Sequence, residues 1–214
     1  MNVFVLNTGR CGSTTFIKAC KHIENFTSAH ESRCGLIGAA RFSYPDNHIE
    51  ADNRLSWFLG RLDKCYGDNA VYVHLTRNNK ATANSFVNRY SFGIIEAYRD
   101  AILMNLPAES DPMSVSLDYC DTVNSNIDLF LKDKTKKMDF RLEEAKHDFK
   151  RFWEFIGAEG NIDGALQEFD VSYNASRLSN DDGAKKRLLP IRIIRRFVTL
   201  ILRFYNTTRT RNIS

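Results

Sequence analysis

The 214-residue sequence predicts an α/β protein of three layers, with helices on both faces of a central parallel sheet. Three observations carry this expectation. Val3–Leu6 is a short apolar run that leads through a glycine-containing turn into a helix-patterned segment. Ala70–Leu75 does the same through a polar turn. "MDFRL", Met138–Leu142, is a third strand-like run, and the helix-patterned "EEAKHDFKRFWEFIG" follows it. Strands alternating with helices imply crossover connections, and crossovers make neighbouring strands parallel.

Taken in order, Val3–Leu6 reads as a buried strand because it is apolar, β-branched in part and closed by a glycine. A helix is expected from Ser13 to about His22, with Ser13 or Thr14 suited to its first turn. A short extended piece near Phe26–Ala29 precedes "HESRCG". In "ADNRLSWFLGRLDKCYG", Leu55, Phe58, Leu59 and Leu62 have the spacing of one amphipathic helix, ending at Gly67. "AVYVHL" is the clearest strand, and "TRNNKATANSF" is expected to turn from loop into a helix that passes Tyr90. From about Ser91 to Lys137 the chain reads as mostly helical with a break around "LPAESDP", and the last helix closes at Gly157.

The length suits one domain with a substantial core. No apolar run is long enough to span a bilayer, and the N-terminus lacks the basic and apolar regions of a secretory signal. Five scattered cysteines with no C-x-x-C pair argue against a disulfide framework and a structural zinc site, and suit the cytoplasm. The net charge of +4 hides an asymmetry. From Ala184 onward there are nine Lys or Arg residues and no acid, while the preceding 183 residues carry 21 basic and 26 acidic groups. Residues 1–183 are therefore expected to form a mildly acidic globule, and 184–214 a basic amphipathic tail. This distribution does not describe a nucleic-acid-binding domain.

"NTGRCGSTTF", Asn7–Phe16, places glycines and hydroxyls between a strand and a helix N-terminus. Unpaired backbone N–H groups converge there and the helix dipole favours an anion. Gly9 and Gly12 permit a close backbone approach, Arg10 adds a fork of charged donors, and Ser13, Thr14 and Thr15 add hydroxyls. The lysine of G-x-x-x-x-G-K-[ST], with the metal-holding hydroxyl after it, is absent. A metal–triphosphate ligand is thereby disfavoured, and an anion bound without metal fits better.

"VYVHLTRNNKATANSF" sets Arg77 just beyond a strand and Ser85 eight residues later, about two helical turns in if the helix begins near Asn78. Together the two segments resemble the sulfotransferases that use 3′-phosphoadenosine-5′-phosphosulfate (PAPS), a P-loop-like fold, in particular the bacterial enzymes acting on carbohydrates or lipids. In that family a strand-loop-helix of the form "TGRSGTTFL" binds the 5′-phosphosulfate, and a later strand ending in Arg, with a Ser in the next helix, binds the 3′-phosphate. This chain has "TGRCGSTTF" and "HLTRNNKATANSF", and "FRLEEAKHDFKRFWEFIG" is similar to the family's late strand-acid-helix segment. The resemblance implies that Gly9, Arg10, Cys11, Gly12, Ser13, Thr14 and Thr15 surround the 5′-phosphosulfate, and Arg77 and Ser85 the 3′-phosphate. Cys11 stands where Ser is usual and reads as an inert small residue. "SYNASRLSNDDG" lies where relatives close a loop over the nucleotide, with Asn174, Ser176 and Arg177 as candidates.

Transfer of a sulfuryl group to a hydroxyl needs stabilisation of the leaving oxygen and a base for the acceptor proton. Arg10 and the loop amides suit the first task. For the second, His30 and Glu31 follow the second expected strand, at the sheet edge where α/β sites form. Successive residues of an extended segment point in opposite directions, so one of the two faces the acceptor, and Glu31 is preferred. His74 reads as a packed core histidine. Glu50, Asp52 and Arg54 are candidates to line an acceptor cleft with Trp57 as a stacking wall, although Asp52 also fits a helix N-terminus.

In residues 190–205 Arg192, Arg196, Thr199 and Arg203 recur opposite Ile191, Ile194, Phe197, Val198, Ile201, Leu202 and Tyr205. The pattern fits a helix lying in a membrane interface, here the inner face, and equally a terminal helix docked on the domain. The functional expectation is PAPS-dependent sulfation of a hydroxyl on a carbohydrate or glycolipid, with no metal. Two alternatives are a P-loop nucleotide kinase or other phosphotransferase, and a non-catalytic nucleotide-binding module. The acceptor and the oligomeric state are not written in these motifs.

Overall fold

The first strand, β1 (Val3–Leu6), alternates its side chains between two cores. Val3 and Val5 face one and Phe4 and Leu6 the other, and all four are fully buried. Such two-sided burial needs a helical layer on each face of a sheet. The computed structural model describes residues 1–171 and has that arrangement. After β1 come α1 (Ser13–Cys20), β2 (Thr27–His30), β3 (His48–Ala51), α2 (Leu59–Tyr66) and β4 (Val71–Thr76). There follow α3 (Asn79–Val87), α4 (Ile94–Ala97), α5 (Pro112–Leu131), β5 (Lys137–Arg141), α6 (Ala145–Ile156) and α7 (Ile162–Gln167).

The five strands among the described residues form a parallel sheet in the order β2-β3-β1-β4-β5. The predicted three-layer α/β/α class is the observed one. On one face Val71, Val73, Leu75 and Phe140 pack with Phe16, Phe149 and Phe152 from α1 and α6. On the other, Tyr72 packs with Phe86, Tyr119 and Val123 from α3 and α5. His74 belongs to this second side as a packed histidine, 3.2 Å from Asn124 Oδ1 through Nε2 and 3.0 Å from Asp128 Oδ1 through Nδ1.

The segment 48–67 departs from expectation. His48–Ala51 is an interior strand between β2 and β1, Asn53–Trp57 is a tight 3₁₀ turn, and only Leu59–Tyr66 is α-helix. The hydrophobic spacing of Leu55 through Leu62 suggested one long helix, but β3 carries the fully buried Glu50 and the buried His48, which apolar periodicity cannot register. The polar groups of β3 find partners instead. Glu50 accepts from Ser32 N at 2.8 Å and Ser32 Oγ at 2.5 Å, and lies 3.1 Å from His48 Nε2. Buried polar groups satisfied in this way cost little and specify register.

No helix among the described residues is long and apolar enough to cross a membrane. The expected boundary at 183/184, the amphipathic segment 190–205, and the candidates Asn174, Ser176 and Arg177 lie outside the described residues.

Candidate active site

The loop from Asn7 to Gly12 is bent by three consecutive demands on its backbone. Gly9 (φ 82°), Arg10 (φ 61°) and Gly12 (φ 92°) are all in the left-handed region, which costs a non-glycine residue such as Arg10 about 1 kcal/mol or more. At Gly9 a Cβ would come within 2.8 Å of Asn53 Nδ2, and at Gly12 within 2.5 Å of Leu142 Cδ1. Both glycines are therefore favoured by φ, and a larger residue would also have to displace Asn53 or Leu142. Asn7 braces the turn from inside: its Oδ1 accepts from Gly9 N at 2.8 Å and its Nδ2 donates to Val5 O at 2.9 Å. Tyr119 donates its hydroxyl to Thr8 O at 2.7 Å and Ser56 Oγ donates to Asn7 O at 3.2 Å. An Asn two residues before a glycine is an Asx-turn signature, so the Asn7 brace had a readable signal.

Gly12 caps α1 and no side chain caps the helix. The first-turn amides consequently point into the cleft with the positive end of the helix dipole. Cys11 is fully buried, and burial pushes its thiol up to about 12, so it is no nucleophile near neutral pH. Thr14 and Thr15 stand with Ser13 in the first turn of α1 and line the same cleft.

Two motifs far apart in the sequence meet here. Arg10 Nε donates to Ser85 Oγ at 2.8 Å, and Arg77 Nη1 donates to Arg10 O at 3.4 Å. Ser85 stands on α3, whose first turn is capped by Asn78 Oδ1 accepting from Ala81 N at 3.0 Å. Burial, and then the charges of Arg89 and Arg77, lower the pKa of Arg10. Arg89 was not singled out in the sequence. It lies in the turn just past α3 and lines the same cleft as Ser85.

His30 and Glu31 take different partners. His30 Nε2 is 3.0 Å from Ser13 Oγ, at the loop itself. Glu31 adopts φ 53° and its Oε2 pairs with Arg54 Nη1 at 2.7 Å. Of the residues expected to line an acceptor cleft, Arg54 does so, but Glu50 (0 % exposed) and Asp52 (1 % exposed) do not. Glu50 is interior because β3 lies between two other strands, and Asp52 follows directly at its end. Asp52 pairs with the buried Arg41 at 3.0 Å and accepts from Arg54 N at 2.8 Å, capping the 3₁₀ turn. Burial pushes its carboxyl above the usual range. Trp57 is half-buried against Tyr98, with ring centroids 6.2 Å apart.

These groups line one cleft of about 720 Å³, a size ordinary for a small-molecule site, at the carboxyl ends of the strands. Its apolar lining comes from Leu142, which abuts Gly12 of the loop, and from Ala145, Phe169, Phe92 and Ile94. Arg77 and Arg89 have no carboxylate partner among the described residues. A cleft with a bent amide-rich loop and converging guanidinium groups is built for an anionic ligand.

The fold is a three-layer α/β/α arrangement that solved sulfotransferases share. Solved structures with this fold include a sulfotransferase domain from the curacin biosynthetic pathway, with a TM-score of 0.56 and 13 % identity over 79 % of this chain and 78 % of that one. They also include the mouse sulfotransferase SULT7A1 complexed with PAP, with a TM-score of 0.50 and 15 % identity over 79 % of this chain. The match covers 63 % of the mouse chain. No protein-family model matches the sequence. No curated protein matches it at a significant level.

Proposed function

We propose that the chain is a PAPS-dependent sulfotransferase acting on a hydroxyl, of a carbohydrate or glycolipid. One observation carries the reading: Arg10 of the loop motif and Ser85 of the second motif are joined in a single cleft with Arg77. The two anion-binding motifs thus serve one ligand with two anionic ends, and a mouse neighbour in fold was solved with PAP.

In this reading the loop amides of Gly9 to Thr15 and the Arg10 guanidinium hold the 5′-phosphosulfate. Arg77 and Ser85 hold the 3′-phosphate. Arg10 stabilises charge as it gathers on the bridging oxygen when the sulfur–oxygen bond breaks. The acceptor oxygen forms the new bond to sulfur, and its proton passes to a base. We assign that role to His30, whose Nε2 stands at Ser13 of the loop. Glu31 is held by Arg54, and this pair is assigned to shaping the acceptor side. The sequence alone preferred Glu31, and the two residues' partners support His30 in this reading. Peripheral contact with anionic lipid through 190–205 rests on the sequence pattern alone.

Calorimetry with adenosine-3′,5′-bisphosphate against ATP–Mg²⁺ tests the reading. Tighter binding of the bisphosphate is expected, together with its loss in Arg77→Ala. Tighter binding of ATP–Mg²⁺ overturns it in favour of a phosphotransferase.

A further inference from the structure

The donor reading uses Arg10, Arg77 and Ser85, and leaves Arg89 without a task. Arg89 is half-buried, lines the cleft, and has no carboxylate partner among the described residues. Its guanidinium carbon lies 5.5 Å from the ring centre of Phe92, which is 51 % exposed. It stands in the turn that follows α3 and lines the same cleft as Ser85, whose hydroxyl accepts from Arg10. Like charges repel, and an anion seated beside Arg77 and Arg89 relieves that repulsion. A cation–π contact with the ring restrains the guanidinium, whose fork of donors suits an oxyanion.

We infer that Arg89 is a third anion ligand of this cleft, holding a phosphate- or sulfate-type oxyanion on the Ser85 side of α3. The inference deepens the donor reading and rests on it for the identity of the nucleotide. The oxyanion has two sources, the 3′-phosphate of the donor or an anionic group on the acceptor. In the second case the acceptor is itself a charged compound, such as a carboxylated, phosphorylated or already sulfated one.

Calorimetry on the full chain and its Arg89→Ala and Arg89→Lys variants tests this with three probes. These are adenosine-3′,5′-bisphosphate, 5′-AMP, and inorganic sulfate added to the bisphosphate-saturated protein. Loss of one charge-assisted contact is expected to weaken an oxyanion about tenfold or more in Arg89→Ala. Arg89→Lys, which keeps the charge without the fork, should recover part of it. A loss confined to the bisphosphate, with 5′-AMP unchanged, supports the inference and assigns the 3′-phosphate. A loss confined to sulfate supports it and assigns the acceptor side. Unchanged binding of bisphosphate and sulfate, with or without a lower melting temperature, overturns it and leaves Arg89 as a cover for Phe92. If the wild-type chain binds bisphosphate no better than 5′-AMP, the donor reading fails instead, and sulfate binding to the nucleotide-free chain and its Arg89→Ala variant still decides the role of Arg89.

Discussion

Arg10 and Ser85 are 75 positions apart in the chain and 2.8 Å apart in space, with the Arg10 Nε–H directed at the Ser85 hydroxyl. The bond places the phosphate-type loop after β1 against the helix after β4, the neighbouring strand of the sheet. The two motifs therefore act as one site, and a substitution in either is felt in the other.

Ser85→Ala removes the Arg10 partner and one donor to the proposed 3′-phosphate. Bisphosphate affinity is expected to fall by about tenfold, the worth of one hydrogen bond to a charged group, while 5′-AMP affinity changes less. Isothermal titration of both nucleotides checks this, and equal losses for the two would count against a 3′-phosphate role.

His30→Ala is expected to lower kcat by about 10²–10⁴, the range of a general base, and to leave bisphosphate binding nearly intact. Glu31→Ala should act chiefly on acceptor KM, because its carboxylate engages Arg54 and not the loop. Steady-state assays on the two variants separate the roles. The reverse pattern would return the base to Glu31.

Gly12→Ala combines a left-handed φ of 92° with a Cβ 2.5 Å from Leu142 Cδ1. The conformational cost is about 1–2 kcal/mol and overpacking adds about 1–3. Urea unfolding of Gly12→Ala, Leu142→Ala and the double variant is expected to show a double variant less destabilised than the two singles added, since removing the leucine relieves the clash but not the φ. Strict additivity would show that the clash is absorbed elsewhere.

Asp148 ties the end of β5 to α6 by accepting from Arg141 N at 2.8 Å. Burial opposes its charge, but the hydrogen bonds from Arg141 N, His147 and Arg151 hold its carboxyl below the usual range. A lowered native pKa stabilises the fold above the unfolded carboxylate range, near about pH 4, and that stabilisation fades as the pH falls through the native value. Asp148→Asn should therefore cost about 1–3 kcal/mol at neutral pH and progressively less in acid. Urea midpoints of both proteins across that range provide the check, and a gap that persists undiminished at about pH 2 would contradict the linkage.

Much of the scaffold was legible because its signals are local. The apolar runs of β1 and β4, the glycines at positive φ and the cap at Asn78 each follow from a few neighbouring residues. The β3 strand was not legible, because Glu50 and His48 look like surface residues until Ser32 and Thr27 supply hydrogen-bond partners. For the same reason Glu50 and Asp52 were assigned to a cleft that they support from beneath. Arg89 carried no motif, and it stands out only through the charge of Arg10 nearby and the lack of a carboxylate partner among the described residues.

The sequence by itself determined the fold class, the bent glycine-containing loop and the Arg77–Ser85 motif, since backbone preference and side-chain periodicity act over a few residues. Only the tertiary structure decided that the two motifs share one cleft, that His30 faces Ser13 while Glu31 faces Arg54, and that Arg77 and Arg89 lack carboxylate partners among the described residues. Those are relations between chain segments brought together by strand order, and no local propensity encodes a distance across a sheet.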